Sequence, residues 1–345
     1  MKYLFIALVF FSSAMTLNAN SDNDAPQNID FYAVAMAGSE LDADKAVKLE
    51  ATVTKTPDDL TARTSLLGYY FMSRHKSSKT KAAQQKHVIW IIENRPEAEI
   101  AGTPYCEIDA ITNAKGYREA KKLWLKQARA NPKSALIRGH ASNFLALRDR
   151  ALAEGLLKEA QQLEPSEPKW SDNLGHLYLL HEDPTKSLAE FEKAQSADDS
   201  EESKFVRLDS LAESALDAGD IDKASRYATE LLESARKYSK SWNYGNAVHH
   251  GNSVLGQISL KNGDVKQAKE FLLKAAETSG SPQLNSFGPN MSLAKALLAA
   301  GEKEIVLQYF KLCRKFWTSG AEQLDHWTND VKTGRVPDFG ANLDY

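Results

Sequence analysis

Along most of this chain, apolar and small residues recur at spacings of three and four, the period of one helix face. Through the central part the same order returns at a longer interval. Leu174, Gly175 and Tyr178 fall on one predicted helix, and Ser187, Phe191 and Ala194 on the next. Counting back about 34 residues from the last three lands on Ala153, Leu157 and Ala160, so one helical unit is being repeated. Each unit is predicted as two helices, A and B. Helix A carries a large–small pair and an apolar residue one turn on. Helix B carries a small residue, a bulky one four later and a small one three later, all on one face.

The series reads Ala141, Phe144, Ala153, Leu157 and Ala160 over 134–166, then the copy above over 168–200. It continues with Leu211, Ala212, Ala215, Ala224, Ala228 and Leu231 over 205–238. Leu255, Gly256, Ser259, Ala268, Leu272 and Ala275 follow over 249–281, and Leu293, Ala294, Leu297, Val306, Phe310 and Cys313 over 287–318. Gly219-Asp220, Gly263-Asp264 and Gly301-Glu302 sit where A should turn into B, a glycine to end one helix and an acid to open the next. Pro132, Pro165 and Pro282 are read as the ends of B helices.

Weaker copies come before. Leu67, Gly68 and Phe71 suggest a helix A, with the basic run Arg74 to Lys81 lengthening the turn before His87 and Trp90. Over 101–132 only a second helix is legible, in Ala120, Trp124 and Ala128. An extra helix is expected near 40–56. The divisions expected are a polar, partly disordered segment at 20–38, degenerate repeats at 40–132, regular repeats at 133–318, and a capping helix with an extended tail at 319–345. Trp317, Leu324, Trp327 and Val331 mark the cap, and Val336-Pro337-Asp338-Phe339 the tail. The fold class expected is all-α, a solenoid of stacked antiparallel helix pairs.

The first residues read as a secretory leader. Lys2, the apolar run Tyr3–Phe11 and the exit Leu17-Asn18-Ala19 predict cleavage after Ala19 and an exported, periplasmic protein. The apolar run is short of the roughly 20 residues a membrane span needs, and no later segment approaches that length, so no span is expected in the mature chain. With 43 Lys and Arg against 46 Asp and Glu, and a pI near 6.3, the chain as a whole lacks the basic excess of a nucleic-acid binder. Cys106 and Cys313, the only cysteines, are too few for a paired-cysteine zinc site and read as packing residues.

The repeat signature resembles the tetratricopeptide repeat family, over about residues 60–318. Gly280 to Asn290 and Asp338 to Asn342 are also similar to a group of uncharacterised exported bacterial proteins of this kind, a likeness that implies no activity. What the larger family implies is a right-handed superhelix binding a protein or peptide in a concave groove lined by A helices. Members that clamp the C-terminal carboxylates of chaperones use lysine, asparagine and arginine on successive A helices. The matching positions here are Arg138 and Ser142, Asp172 and His176, Asp209 and Glu213, whose acids would repel a carboxylate.

Two sets of candidate residues remain. Arg138, Asp172, His176, Asp209 and Glu213 form the candidate peptide groove, with an acidic middle suited to a basic peptide; a solvated helix face would look the same. On the predicted helix at 242–262, Asn243, Asn246, His250, Ser253 and Gln257 make a nearly uncharged polar stripe. Gln283, Asn285 and Asn290 lie just beyond. Such a lining suits a small neutral polar ligand, or else an interhelix hydrogen-bond network. Gly245, Gly251 and Gly256 beside the stripe each cost about 0.8–1.0 kcal/mol relative to alanine, which implies a close helix contact or a ligand against backbone. Neighbouring His249 and His250 point about 100° apart with no carboxylate three or four away on their helix, so no metal site is expected. No nucleophile elbow, phosphate-binding glycine loop or His-Glu-x-x-His is present, and neither catalysis nor a cofactor is expected.

Overall fold

The structure, a computed structural model, describes residues 29–343. Among them every regular element is helical, with 17 α-helices packed in adjacent pairs and no strand. The leader expected at 1–19, and the polar residues as far as 28, lie outside the described residues. No described helix is long and apolar enough to cross a membrane. The chain divides into two compact units between Leu177 and Tyr178.

The first unit holds α1 (Phe31–Gly38), α2 (Ala43–Lys55), α3 (Leu60–Ser73), α4 (Ser78–Asn94), α5 (Ala114–Ala130), α6 (Ala135–Leu145), α7 (Arg150–Leu163) and most of α8 (Pro168–Leu180). Helix α1 falls inside the segment read as a polar tail. Eight residues are too few to show a helical period, and its place is fixed by tertiary contact: a Cβ on Gly68 would overlap the Ala35 carbonyl, and one on Gly38 that of Ser65, so α1 and α3 cross backbone to backbone. The basic run does not lengthen the α3–α4 turn as expected. Ser77 and Thr80 form a capping box that starts α4 at Ser78, and Lys79 and Lys81 lie on the helix itself. Between α4 and α5, where no A helix was legible, two short 3-10 turns occupy Glu99–Gly102 and Pro104–Cys106. Pro104 has no amide hydrogen to donate and keeps the chain from propagating as an α-helix there.

The second unit holds α9 (Pro184–Ala197), α10 (Glu201–Asp217), α11 (Ile221–Lys237), α12 (Tyr244–Lys261), α13 (Val265–Ala275), α14 (Pro282–Phe287), α15 (Ser292–Ala299), α16 (Lys303–Cys313) and α17 (Ala321–Lys332). Its A-to-B turns are closed by one repeated device. The amides of Asp183, Asp220, Asp264 and Glu302 donate to the carbonyls of Tyr178, Ala215, Ser259 and Leu297, each at 2.9 Å. That six-to-one bond requires a left-handed residue just before it, supplied by Gly219, Gly263 and Gly301 at φ 79°, 81° and 86°. At the first turn the same role falls to Glu182, the one described non-glycine residue at positive φ. Aspartates 183, 220 and 264 then cap the B helices with their side chains.

The B-helix triads fill the core. Ala153, Leu157 and Ala160 in the first unit, and Ser187, Phe191, Ala194, Ala224, Ala228, Leu231, Ala268, Leu272, Ala275, Val306, Phe310 and Cys313 in the second, are all at most 1% exposed. Small residues let the neighbouring helix approach and the bulky one fills the gap, at about 25 cal/mol per Å² of apolar surface removed from water. Cys106 and Cys313 are both buried and outside any disulfide, and burial pushes both thiols far up. Pro282 departs from its expected role: it opens α14 at the first helical position, behind the Ser281 cap, where the missing amide hydrogen costs nothing. Past α17 the extended tail folds back. Trp327 Nε1 donates to the Asp338 carbonyl at 3.0 Å, Phe339 packs 5.0 Å from the Trp327 ring, and Asn342 bonds the carbonyls of Phe287 and Pro289.

Backbone conformation gives opposite signs for two glycines, one inside a helix and one in a left-handed turn. Gly155 lies exposed within α7 with open space where a Cβ would sit, so Gly155→Ala should raise unfolding free energy by about 0.5–1 kcal/mol. Gly263→Ala should lower it by about 1–2 kcal/mol, because alanine resists the left-handed turn. Urea titration of both variants checks this, and shifts of the same sign would contradict it.

Candidate functional site: an acidic pair sharing one histidine

Helix α10 carries Asp209 and Glu213 four residues apart, hence on one face. Helix α12 packs against α10 and turns His250 toward that face. The His250 Nδ1–H donates to Glu213 Oε1 at 2.7 Å and lies 3.6 Å from Asp209 Oδ1. The side chains are 8%, 29% and 18% exposed for His250, Glu213 and Asp209, so the site is recessed and still open to water on the carboxylate side. Asp209 Oδ1 is buried and receives no hydrogen bond. Burial and the neighbouring Glu213 push the Asp209 carboxyl up to about 7 despite the pull of His250. Burial opposes charge on the His250 ring, but the two carboxylates outweigh it and hold that ring up at about 9. At neutral pH two acids thus share one cation.

The adjacent histidine is its opposite. His249 is fully buried, its Nδ1–H donating to the Ala275 carbonyl and its Nε2 accepting the Asn290 amide, both at 3.0 Å. Burial, and then the charge on His250, push it down to about 3. It is a neutral cross-brace between the end of α13 and the 287–291 loop.

The two predicted sets therefore meet. Asp209 and Glu213 come from the peptide-groove set and His250 from the polar-ligand set. The carboxylates that meet His250 come from the neighbouring A helix and not from its own. Glu213 and His250 are 37 residues apart, about one repeat, and that offset was the signal available in the sequence. The ligand atoms of these three residues lie within 4.8 Å of one another, so the group could hold a divalent ion. To do so His250 would have to surrender the proton its neighbours favour.

Other predicted residues have structural partners. Arg138 Nε donates to Glu159 at 2.8 Å and its Nη1 to the carbonyls of Asn131 and Ser134, clamping α6 to α7. Asp172 and His176 are buried on α8, each with a partner. In the polar stripe, Asn246 Nδ2 donates to Asn243 Oδ1 at 2.9 Å and also to Gln283 Oε1, and Ser281 Oγ donates to Asn246 Oδ1 at 2.5 Å. Asn243 Nδ2 is buried with no acceptor. Ser253 is buried and Gln257 half-buried along the same helix. Asn290 Oδ1 accepts the Ser292 amide, and the carbonyl of exposed Asn285 accepts from Ser319. The three glycines of α12 are close contacts: a Cβ on Gly245 would overlap the Gly280 carbonyl, one on Gly251 the Leu232 side chain, and one on Gly256 that of Leu293.

The first unit holds a cluster the sequence did not reveal. Arg63 donates to His87 Nδ1 at 3.2 Å, and His87 Nε2–H and the Tyr70 hydroxyl each donate to Glu50 Oε1 at 2.8 Å. The His87 bond leads in holding Glu50 down at about 2. Every partner is engaged, and the cluster braces α2, α3 and α4. No family model matches the chain, and no curated protein matches it.

The site makes stability pH-dependent with a defined sign. The contribution of His250 is complete below its ordinary 6.5 and is lost as pH rises through about 9. Asp209 adds a loss in the same direction as pH climbs from 3.8 through about 7. The urea midpoint should therefore fall between about pH 6 and pH 9.5, and His250→Gln should flatten the upper part of that fall. A midpoint that rises with pH over this window would contradict the assignment.

Proposed function

We propose that this chain is a non-enzymatic binding scaffold of the tetratricopeptide type, an exported solenoid that holds a protein or peptide partner along its A helices. The supporting fold observation is that helices follow one another in adjacent pairs, so that α10 and α12 meet as consecutive A helices. The observation that carries the reading is the sharing of one histidine cation by Asp209 and Glu213, with Asp209 Oδ1 lacking any hydrogen-bond donor. A lysine or arginine side chain from a partner, approaching the solvent-open edge of the Asp209–Glu213 pair rather than the buried Oδ1, supplies the missing charge. Both acids are fixed in place by helix packing and by His250, so little side-chain freedom is lost when the partner arrives. A small neutral ligand on the polar stripe has weaker support, because Asn243, Asn246, Ser281 and Gln283 spend most of their hydrogen bonds on one another.

The partner is therefore a segment bearing Lys or Arg. Capture of such peptides by the chain should weaken with added salt. It should also weaken about two- to fivefold in Asp209→Asn, the scale of one partly exposed ion pair. Fluorescence anisotropy with a basic peptide library reads both effects; binding indifferent to salt and to Asp209→Asn would remove the reading.

A further inference from the structure

The exposed face of α5 departs from the charge balance of the rest of the chain. Its buried side is Gly116, Tyr117, Ala120, Trp124 and Ala128. Its exposed side carries Lys115, Arg118, Lys122, Lys126 and Arg129. These recur at three, four, four and three residues and so form one straight stripe, about 20 Å long at helical rise. Among the described residues none of the five has an ion pair or hydrogen bond, whereas Lys121 beside them is bound to Asp149. The single acid on that side, Glu119, already accepts a hydrogen bond from Gln85. A chain with more acidic than basic residues thus presents five unpaired cations in a row.

One end of the stripe is apolar. Ile111 is 73% exposed, the highest value among the exposed large hydrophobic side chains of the described residues. Asp109 Oδ1 accepts the amides of Ile111 and Thr112, each at 2.7 Å, and Lys81 Nζ donates to the Thr112 carbonyl at 3.0 Å. The isoleucine is therefore held outward on a fixed turn rather than folded onto the helix. Toward the other end, a depression of about 420 Å³ is lined by Glu93, Glu119, Lys122, Leu123, Lys126 and Arg129.

From this arrangement we infer that the α5 face of the first unit docks onto an anionic lipid surface, with the five cations over the headgroups and Ile111 entering the interfacial layer. Charge complementarity sets the sign of the partner. The isoleucine chooses lipid over an acidic polypeptide. A peptide seated in the depression beside Lys122, Lys126 and Arg129 would leave Lys115, Arg118 and Ile111 outside its lining, whereas a bilayer offers a plane of negative charge for all five cations and an apolar layer below it for the isoleucine. Juxtaposed Lys and Arg act nearly independently on such a surface, and salt screens them within a Debye length. The inference is separate from the peptide reading, which uses residues of the second unit only.

The test is co-sedimentation of the full chain with vesicles of phosphatidylglycerol and phosphatidylcholine in equal parts, against vesicles of phosphatidylcholine alone. Binding is expected to the first and not the second, and 0.5 M salt is expected to release it. The triple variant R118Q/K122Q/K126Q should reduce partitioning about a hundredfold, from three surface charges. Ile111→Ser should reduce it with the salt dependence unchanged. Circular dichroism identifies any variant that has lost its fold. Absence of binding to the anionic vesicles, equal binding to both compositions, or wild-type binding by the folded triple variant would each overturn the inference. Binding of polyglutamate with indifference to vesicles would overturn it in favour of an acidic protein partner.

Discussion

The structure depends on one packing arrangement, a triad of small and large residues on the B helices pressed against their neighbours, small–large–small on α7, α9 and α13. Ser187, Phe191 and Ala194 show it best, each fully buried. A larger residue at either small position would hold the next helix off, and a smaller one at Phe191 would leave a void, so the spacing of the hairpins is set from both sides. The left-handed A-to-B turn then fixes the direction in which helix B departs. Glu182 adopts that turn without being glycine, which shows that the six-to-one hydrogen bond, rather than residue type alone, holds it.

Once the hairpins are placed, the chemistry of the A helices follows from which side chains meet. His249 and His250 are neighbours in sequence and opposites in charge, because one ring is enclosed by a backbone carbonyl and a backbone amide and the other by two carboxylates. The same logic separates the acid clusters of the two units. Glu50 has Tyr70 and His87 as donors and is held low, whereas Asp209 is buried beside Glu213 with an oxygen that lacks a donor and is pushed high. An ionisable group that is fully paired stabilises its surroundings; one left partly unpaired is available to something else.

The all-helical class and the core positions were legible because the triads repeat and because burial at helical spacing leaves a periodic trace. Helix α1 was not legible: it is short, and its position rests on the crossing of Gly38 and Gly68, a contact no local pattern encodes. The start of α4 was hidden by reading Arg74 to Lys81 as one basic loop, when Ser77 and Thr80 were already a capping signal. The candidate site was half legible. Its residues were picked out in two separate groups, and only packing of α10 on α12 brings them together. The basic stripe of α5 is concealed in the sequence by the near balance of charge over the whole chain. The glycines of α12 read correctly as a cost, and packing against Gly280, Leu232 and Leu293 is what that cost serves.

If each hairpin of the second unit is stabilised by its immediate neighbours, the A-helix face is built hairpin by hairpin. Hydrogen–deuterium exchange of Phe191→Ala addresses it most directly. Stability that is a sum of nearest-neighbour terms predicts faster exchange in α9, α10 and α11, with α15, α16 and α17 as protected as before. A uniform loss of protection from α9 through α17 would mean a single cooperative globule, and would contradict the account.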